Sequence, residues 1–140
     1  SFHNRSFLKK GEIQNLRSKN WIKLLGQLPD LRDLYEDSHV IILPSWREGL
    51  SMSLLEASSM ECSIITTNVP GCIDIVKHGE SGLLVSPNDI TSIRLAILFL
   101  VKNPEISEKF GRNARLNTIK HFNSERIISQ TMSLYENLII

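Results

Sequence analysis

The chain has 140 residues, of which 41% are hydrophobic and 22% are charged, and this is the balance of one globular domain. Its net charge is +1 at pH 7 and its Lys and Arg residues are scattered, so it offers no basic footprint for nucleic acid. No apolar run approaches the ~20 residues of a membrane span and the first residues lack a signal-peptide pattern, so we expect a cytoplasmic protein with no membrane span in this chain.

The first part of the chain alternates predicted helices with predicted strands. Four adjacent aliphatic residues at 40–43 favour a strand buried on both faces. This strand should end at Pro44, which cannot donate to a sheet ladder. The elements expected up to residue 60 are a short helix carrying Ile13 and Leu16, a strand at 21–25, a helix with an apolar stripe of Leu31, Leu34 and Tyr35, the strand at 40–43, and a helix from about 53 to 60.

The second part of the chain predicts two more strands and three closing helices. The strands are a β-branched run at 63–67 and a short run at 83–85. The helices open at Asn88 or Asp89, at Asn103–Pro104, and at Asn123 or Ser124. Alternating strands and helices predict an α/β fold with a parallel sheet of roughly four strands, about half of a doubly wound domain. We expect part of the closing helices' apolar stripe to face a surface outside this chain.

Two carboxylates follow the strand at 40–43. Glu48 lies in the loop after Pro44, and Glu56 lies in the next predicted helix. Open α/β sheets bind ligands at the carboxyl ends of their strands. Between the two acids lie Gly49 and the first amides of a helix, which favour anions. The sequence therefore predicts a ligand site at this edge of the sheet.

The segment 44–58, P-S-W-R-E-G-L-S-M-S-L-L-E-A-S, resembles the signature of family-four glycosyltransferases with the GT-B fold. That signature has two Glu separated by seven residues, after a strand that ends in Pro-Ser and before Glu-Ala. The segments I-I-T-T-N-V-P-G at 64–71 and G-E-S-G-L-L-V at 79–85 are similar to the next two strands of the family. The resemblance covers roughly residues 12–140 and implies a three-layer, Rossmann-like C-terminal domain of a GT-B enzyme.

The resemblance also implies a domain organisation and an activity. Residues 1–140 would be part of the C-terminal, nucleotide-sugar-binding domain, without the N-terminal acceptor domain or the segment with the basic residues for the pyrophosphate. The intact enzyme would move a sugar, with retention of configuration, from a nucleoside diphosphate donor to a glycan or lipid-linked acceptor in bacterial surface polysaccharide synthesis. A UDP-linked donor is favoured. We expect the isolated chain to be inactive and the whole protein to be cytoplasmic, with a peripheral position at the inner membrane face as an option.

The resemblance gives the two acids different roles. Glu48 resembles the catalytic Glu that contacts the donor sugar and supports positive charge at the anomeric carbon. The alternative is a solvated loop acid beside Arg47. Glu56 resembles the Glu that accepts hydrogen bonds from the ribose hydroxyls. Its alternative is a capping box with Ser53, in which the carboxylate would bond back to the cap amide.

Four further residues are donor-binding candidates by position in the resemblance. Gly49, Leu50 and Ser51 match the segment whose amides meet the sugar and diphosphate, and the alternative is an ordinary loop entering a helix. Leu28 matches the residue whose backbone meets the nucleobase. The alternative for Leu28 is a turn residue that only packs.

Neither a cofactor nor a metal is expected. No set of acids and His residues has metal-ligand spacing, and Cys62 and Cys72 are expected to be reduced thiols. Two other functions remain as alternatives: a UDP-sugar epimerase of GT-B fold, and a non-catalytic nucleotide-binding or interaction module. The epimerases lack the Pro-Ser-x-x-Glu-Gly arrangement found at 44–49.

Overall fold

The computed structural model describes residues 8–138, which fall into two units with a boundary between Leu31 and Arg32. The smaller unit contains one helix, α1 (Lys10–Arg17), where the sequence predicted it. The Glu12 carboxylate accepts a hydrogen bond from the Lys9 amide at 2.6 Å, which satisfies one of the amides at the helix start.

The strand predicted at residues 21–25 is wrong. The backbone there is irregular, and Trp21 is 77% exposed. A strand obtains its backbone hydrogen bonds from a neighbouring strand. Within residues 8–31 no second extended segment pairs with this one, so its apolar side chains alone did not produce a strand. Leu28 lies in the same irregular segment and is 37% exposed.

The larger unit is built on a parallel sheet of three strands, β1 (Val40–Leu43), β2 (Ser63–Thr67) and β3 (Leu83–Val85), in that spatial order. Every residue of the central strand β2 is buried. Leu43 pairs with Thr66, and Thr67 pairs with Val85, so the carboxyl ends of all three strands meet at one edge. The predicted α/β parallel class is therefore confirmed, with three strands among the described residues rather than about four.

Five helices accompany the sheet: α2 (Arg32–Glu36), α3 (Met52–Ser59), α4 (Ile90–Lys102), α5 (Pro104–Phe122) and α6 (Ser124–Leu138). The closing helices open where their capping residues predicted. The Asp89 side chain accepts a hydrogen bond from the Ser92 amide at 2.9 Å, and Pro104 is the first residue of α5. Asn123 accepts one from the Glu125 amide at 2.9 Å. None of the described residues of α6 is buried.

The core lies on both faces of β2, because successive side chains of a strand point to opposite faces. Ile65 packs with residues of β3, α4 and α5, namely Val85, Ala96, Leu100 and Phe110. Helix α3 contacts β2 as well and buries Leu54 and Ala57 completely. This packing fixes α3, the helix that carries Glu56, against the sheet.

Helix α5 crosses the end of α3 at a glycine. A Cβ on Gly111 would overlap the Glu61 carbonyl oxygen, so the two backbones touch at that point. Arg115 donates to the Ser59 carbonyl at 2.8 Å, and its guanidinium lies 3.6 Å from the Glu61 carboxylate. The carboxyl end of α3 is therefore held by α5.

Candidate functional site

Two threonines of β2 fix the end of β1 and the start of the loop that follows it. The Thr66 hydroxyl donates to the Leu43 carbonyl at 2.8 Å. The neighbouring Thr67 hydroxyl donates to the Ser45 carbonyl. Both threonines are almost fully buried, so these bonds are shielded from water. The loop leaves the sheet in a defined direction because the central strand holds its first residues.

The Glu48 side chain is held from within the same loop. The Ser45 hydroxyl donates to Glu48 Oε1 at 2.6 Å, a short bond of the kind that a charged acceptor makes. Glu48 is half-buried. The carboxylate therefore has a hydrogen-bond partner within its own loop, at the carboxyl edge of the sheet.

The turn after β2 supports the backbone of this loop at a glycine. Gly71 has φ +83°, a conformation that glycine adopts at little cost. A Cβ on Gly71 would overlap the Gly49 carbonyl oxygen and lie 2.8 Å from the Glu48 carbonyl oxygen. The Gly71 amide donates to Asp74 Oδ2 at 3.1 Å, which closes the turn. The backbone at Glu48 and Gly49 thus lies directly against the turn.

Helix α3 begins where the resemblance places the donor's diphosphate. Ser51 is its N-cap and is 6% exposed, and Leu50 just before it is 52% exposed. The Ser51 side chain makes no cap hydrogen bond. The first amides of a helix have no partner inside it, and they favour an anion. Gly49, Leu50 and Ser51 therefore form the entry to a helix start.

The capping-box alternative for Glu56 is wrong. Helix α3 starts at Met52, so Ser53 lies inside the helix and cannot be its cap. Among residues 8–138, the hydrogen bond found for the Glu56 carboxylate comes from the Tyr35 hydroxyl, with 3.3 Å between the phenol oxygen and Oε2. Glu56 is otherwise exposed, so its carboxylate is open to a ligand.

Tyr35, which the sequence predicts only as part of an apolar stripe, donates a hydrogen bond to Glu56 and so adjoins the candidate site. It is 6% exposed, and its hydroxyl also lies 3.4 Å from the Ser53 carbonyl oxygen. Burial raises the pKa of the Tyr35 phenol and the nearby Glu56 carboxylate raises it further, so the hydroxyl stays a donor at neutral pH. The sequence could have indicated this contact only through a general rule, that the hydroxyl of a buried Tyr usually has a hydrogen-bond partner.

A cavity of about 210 Å³ opens beside the loop. It is lined by Pro44, Ser45, Trp46, Asn88, Ile90 and Ile93. None of the predicted site residues lines it, but Ser45 connects its wall to Glu48.

The larger unit contains Glu48, Glu56 and the 49–51 segment, whereas Leu28 belongs to the smaller unit.

The histidine and cysteine side chains in the described part of the larger unit give no sign of a metal site or a disulfide. His78 Nδ1 accepts a hydrogen bond from the Leu84 amide at 2.9 Å. Cys62 and Cys72 are buried free thiols. In the part of the chain that the structure describes, no group of three His, Cys, Asp or Glu side chains is placed to hold a metal ion. None of its described helices is long and apolar enough to cross a membrane.

Residues 4–117 match the family described as glycosyl transferases group 1. The chain belongs to this glycosyltransferase family. The resemblance drawn from residues 44–58 is thereby confirmed.

Two curated relatives and one solved structure are similar to this chain. The capsular polysaccharide biosynthesis glycosyltransferase CapM of Staphylococcus aureus is 31% identical over 118 residues, which are 84% of this chain and 31% of CapM. An Escherichia coli enzyme, UDP-Gal:alpha-D-GlcNAc-diphosphoundecaprenol alpha-1,3-galactosyltransferase, is 28% identical over 95% of this chain and 34% of its own length. Anabaena HepE, crystallised with UDP, superposes with a TM-score of 0.84 at 20% identity over 91% of this chain and 35% of HepE.

These comparisons also show how much of its relatives' length the chain covers. It spans about a third of the length of the curated relatives it matches. The likeness to HepE supports the predicted GT-B, Rossmann-like fold class.

Proposed function

We propose that the protein carrying this group 1 glycosyltransferase chain moves a sugar from a nucleoside diphosphate sugar to a glycan or lipid-linked acceptor, with retention of anomeric configuration. The observation that carries the proposal is a carboxylate held in the loop at the carboxyl edge of the sheet, followed by a helix start and a second, exposed carboxylate on that helix. Glu48 is held by Ser45 at 2.6 Å, and Glu56 stands on the helix that begins three residues after Gly49. Both acids belong to the same unit.

Glu48 is the proposed catalytic residue. Breaking the bond between the sugar and the diphosphate leaves positive charge at the anomeric carbon, and a fixed carboxylate stabilises that charge without having to reorganise. The Ser45 hydroxyl occupies Oε1, which leaves Oε2 for the sugar. A carboxylate oxygen can also accept hydrogen bonds from sugar hydroxyls, so this side chain can both position the donor and stabilise its transition state.

The diphosphate would lie at the start of α3, among the amides that follow Gly49, Leu50 and Ser51. The helix dipole and its unpartnered amides favour negative charge there. Glu56, one turn further along α3, would accept hydrogen bonds from the ribose hydroxyls. Leu28 would meet the nucleobase through its backbone. No metal or other cofactor is part of this proposal.

The chain is proposed to be part of the C-terminal, donor-binding domain of a longer enzyme. Its relatives are about three times as long, and the acceptor would be bound by a domain outside residues 1–140. A UDP-linked donor is favoured because the Escherichia coli relative is named for UDP-galactose. CapM is named for capsular polysaccharide and the Escherichia coli relative for a lipid-linked acceptor, so we place the protein in bacterial surface polysaccharide synthesis, in the cytoplasm or at the inner membrane face.

A transfer assay on the intact protein tests this function. A thermal-shift panel of UDP, GDP, ADP and their sugars first identifies the donor, because a ligand that binds the native state raises its apparent stability. With that donor, Glu48→Gln should abolish transfer while the protein stays folded, and Glu56→Gln should mainly weaken donor binding. Glu108→Gln is the matched control, since Glu108 is a surface acid of α5 paired with Arg112. If neither site substitution changed transfer or binding, the assignment would fail. Donor binding without transfer in the unchanged protein would support the non-catalytic alternative.

A further inference from the structure

We propose that Tyr35 is a positioning residue for donor binding, because its hydroxyl fixes the Glu56 carboxylate in the orientation that meets the ribose. This inference rests on the proposed function, since it needs Glu56 to bind a ribose. It adds a residue from a different element, α2, to a site otherwise built from the β1–α3 loop and α3.

Tyr35 is itself held firmly enough to position another group. Its ring is buried, and only 6% of the residue is exposed. Its backbone carbonyl accepts hydrogen bonds from Cys62 Sγ at 3.3 Å and from the Ser38 amide at 3.1 Å. Cys62 immediately precedes the central strand β2, so the position of Tyr35 is tied to the core of the unit.

The Tyr35 hydroxyl stands between two acceptors on α3. The Ser53 carbonyl oxygen lies at 3.4 Å and Glu56 Oε2 at 3.3 Å. A carboxylate is a stronger acceptor than a neutral carbonyl, so the proton is directed to Glu56. At 3.3 Å this bond is long for two oxygens, and it favours one orientation of a side chain that is otherwise exposed.

The bond leaves Glu56 able to bind a diol. Each carboxylate oxygen accepts two hydrogen bonds. Tyr35 uses one of the two positions on Oε2, so both oxygens still have room for a ribose hydroxyl. The phenol keeps its proton and remains the donor of this bond, because burial and the Glu56 carboxylate itself both raise the pKa of Tyr35. The arrangement therefore orders the carboxylate before the ligand arrives, and less rotamer freedom is lost on binding.

The test is calorimetric titration of the intact protein with UDP and with 2′,3′-dideoxy-UDP. If GDP is the nucleotide that stabilises the protein in the thermal-shift panel, GDP and its dideoxy analogue take their place. Tyr35→Phe removes only the hydroxyl, and it should weaken UDP binding roughly two- to tenfold, the equivalent of ordering one side chain. It should leave the affinity for the dideoxy nucleotide unchanged, because that ligand has no diol for Glu56. In a Glu56→Gln background, Tyr35→Phe should have no further effect on UDP.

The matched control is Tyr135→Phe, which removes the same atom from a residue of α6 that is 58% exposed, and it should change neither affinity. Unchanged UDP affinity in Tyr35→Phe would overturn the inference. So would an equal loss for UDP and its dideoxy analogue, which would mean a purely structural role for Tyr35. If Glu56→Gln itself bound UDP like the unchanged protein, the ribose-binding role of Glu56 would fail instead, and the two failures are therefore distinguishable.

Discussion

The contact between Gly71 and the Glu48–Gly49 backbone can be tested by adding one methyl group. In Gly71→Ala the Gly49 carbonyl carbon and the Glu48 carbonyl oxygen would lie 2.7 and 2.8 Å from the new Cβ, whereas ordinary contact begins at 3.4 Å. The Gly49 carbonyl oxygen would overlap it. The neighbouring atoms are backbone, so the loop has to move, by on the order of 1 Å.

Two costs follow from this substitution and can be separated by a matched control. Alanine at a positive φ costs about 1–2 kcal/mol, and the overlap adds about 1–3 kcal/mol. Gly79 has a similar φ of +75° but nothing within 4 Å of its Cβ position, so Gly79→Ala carries the first cost alone. Displacing a catalytic group by about 1 Å can reduce transfer on the order of 100-fold.

The assay measures denaturant unfolding and sugar transfer for both variants of the intact protein. We expect Gly71→Ala to be less stable than Gly79→Ala by about 1–3 kcal/mol and to lose most of its transfer, with Gly79→Ala keeping its transfer rate. Equal stability and equal transfer in the two variants would refute the claim that the turn after β2 supports the Glu48 loop.

Three further substitutions test separate parts of the account. Ser45→Ala removes the 2.6 Å bond to Glu48, and we expect transfer to fall about tenfold with little change in melting temperature; unchanged transfer would show that the bond does not position Glu48. Leu54→Ala empties a fully buried site and should lower the free energy of unfolding by about 2–5 kcal/mol, and a loss below 1 kcal/mol would contradict its place in the core. Hydrogen bonds from the Ser92 hydroxyl and amide hold the pKa of Asp89 below its ordinary value. The ionised Asp89 carboxylate therefore stabilises the folded protein above about pH 4, and this stabilisation is lost as the pH falls further. Asp89→Asn keeps a cap but cannot titrate, so its melting temperature relative to the unchanged protein should rise as the pH falls from 5 to 3, and parallel pH profiles would contradict this.

The elements that the sequence predicted well are those specified by local chemistry. Pro44 ends β1 because it lacks an amide hydrogen, Asp89 caps α4, and Pro104 starts α5. Each of these depends on one residue and its immediate neighbours, so the pattern carries the information.

What the sequence could not give are contacts between distant segments. The run at 21–25 has strand-like side chains, but a strand exists only where a neighbour supplies hydrogen bonds, and residues 8–31 contain none. The Tyr35–Glu56 contact joins residues 21 positions apart, and Gly71 meets Gly49 across 22 positions, so neither leaves a periodic signal. The capping box at Ser53 failed for a different, local reason, because the N-cap is Ser51, two residues earlier, and helix α3 already begins at Met52.

The central claim is that Glu48 and Glu56 serve one donor site, the first at the sugar and the second at the ribose. Titrating the intact protein with UDP and with UDP-glucose separates these roles directly. The account predicts that Glu56→Gln weakens both ligands by the same factor, while Glu48→Gln leaves UDP unchanged and removes any extra affinity of the sugar-linked ligand. A Glu48→Gln variant that lost UDP binding, or a Glu56→Gln variant that bound both ligands normally, would contradict it.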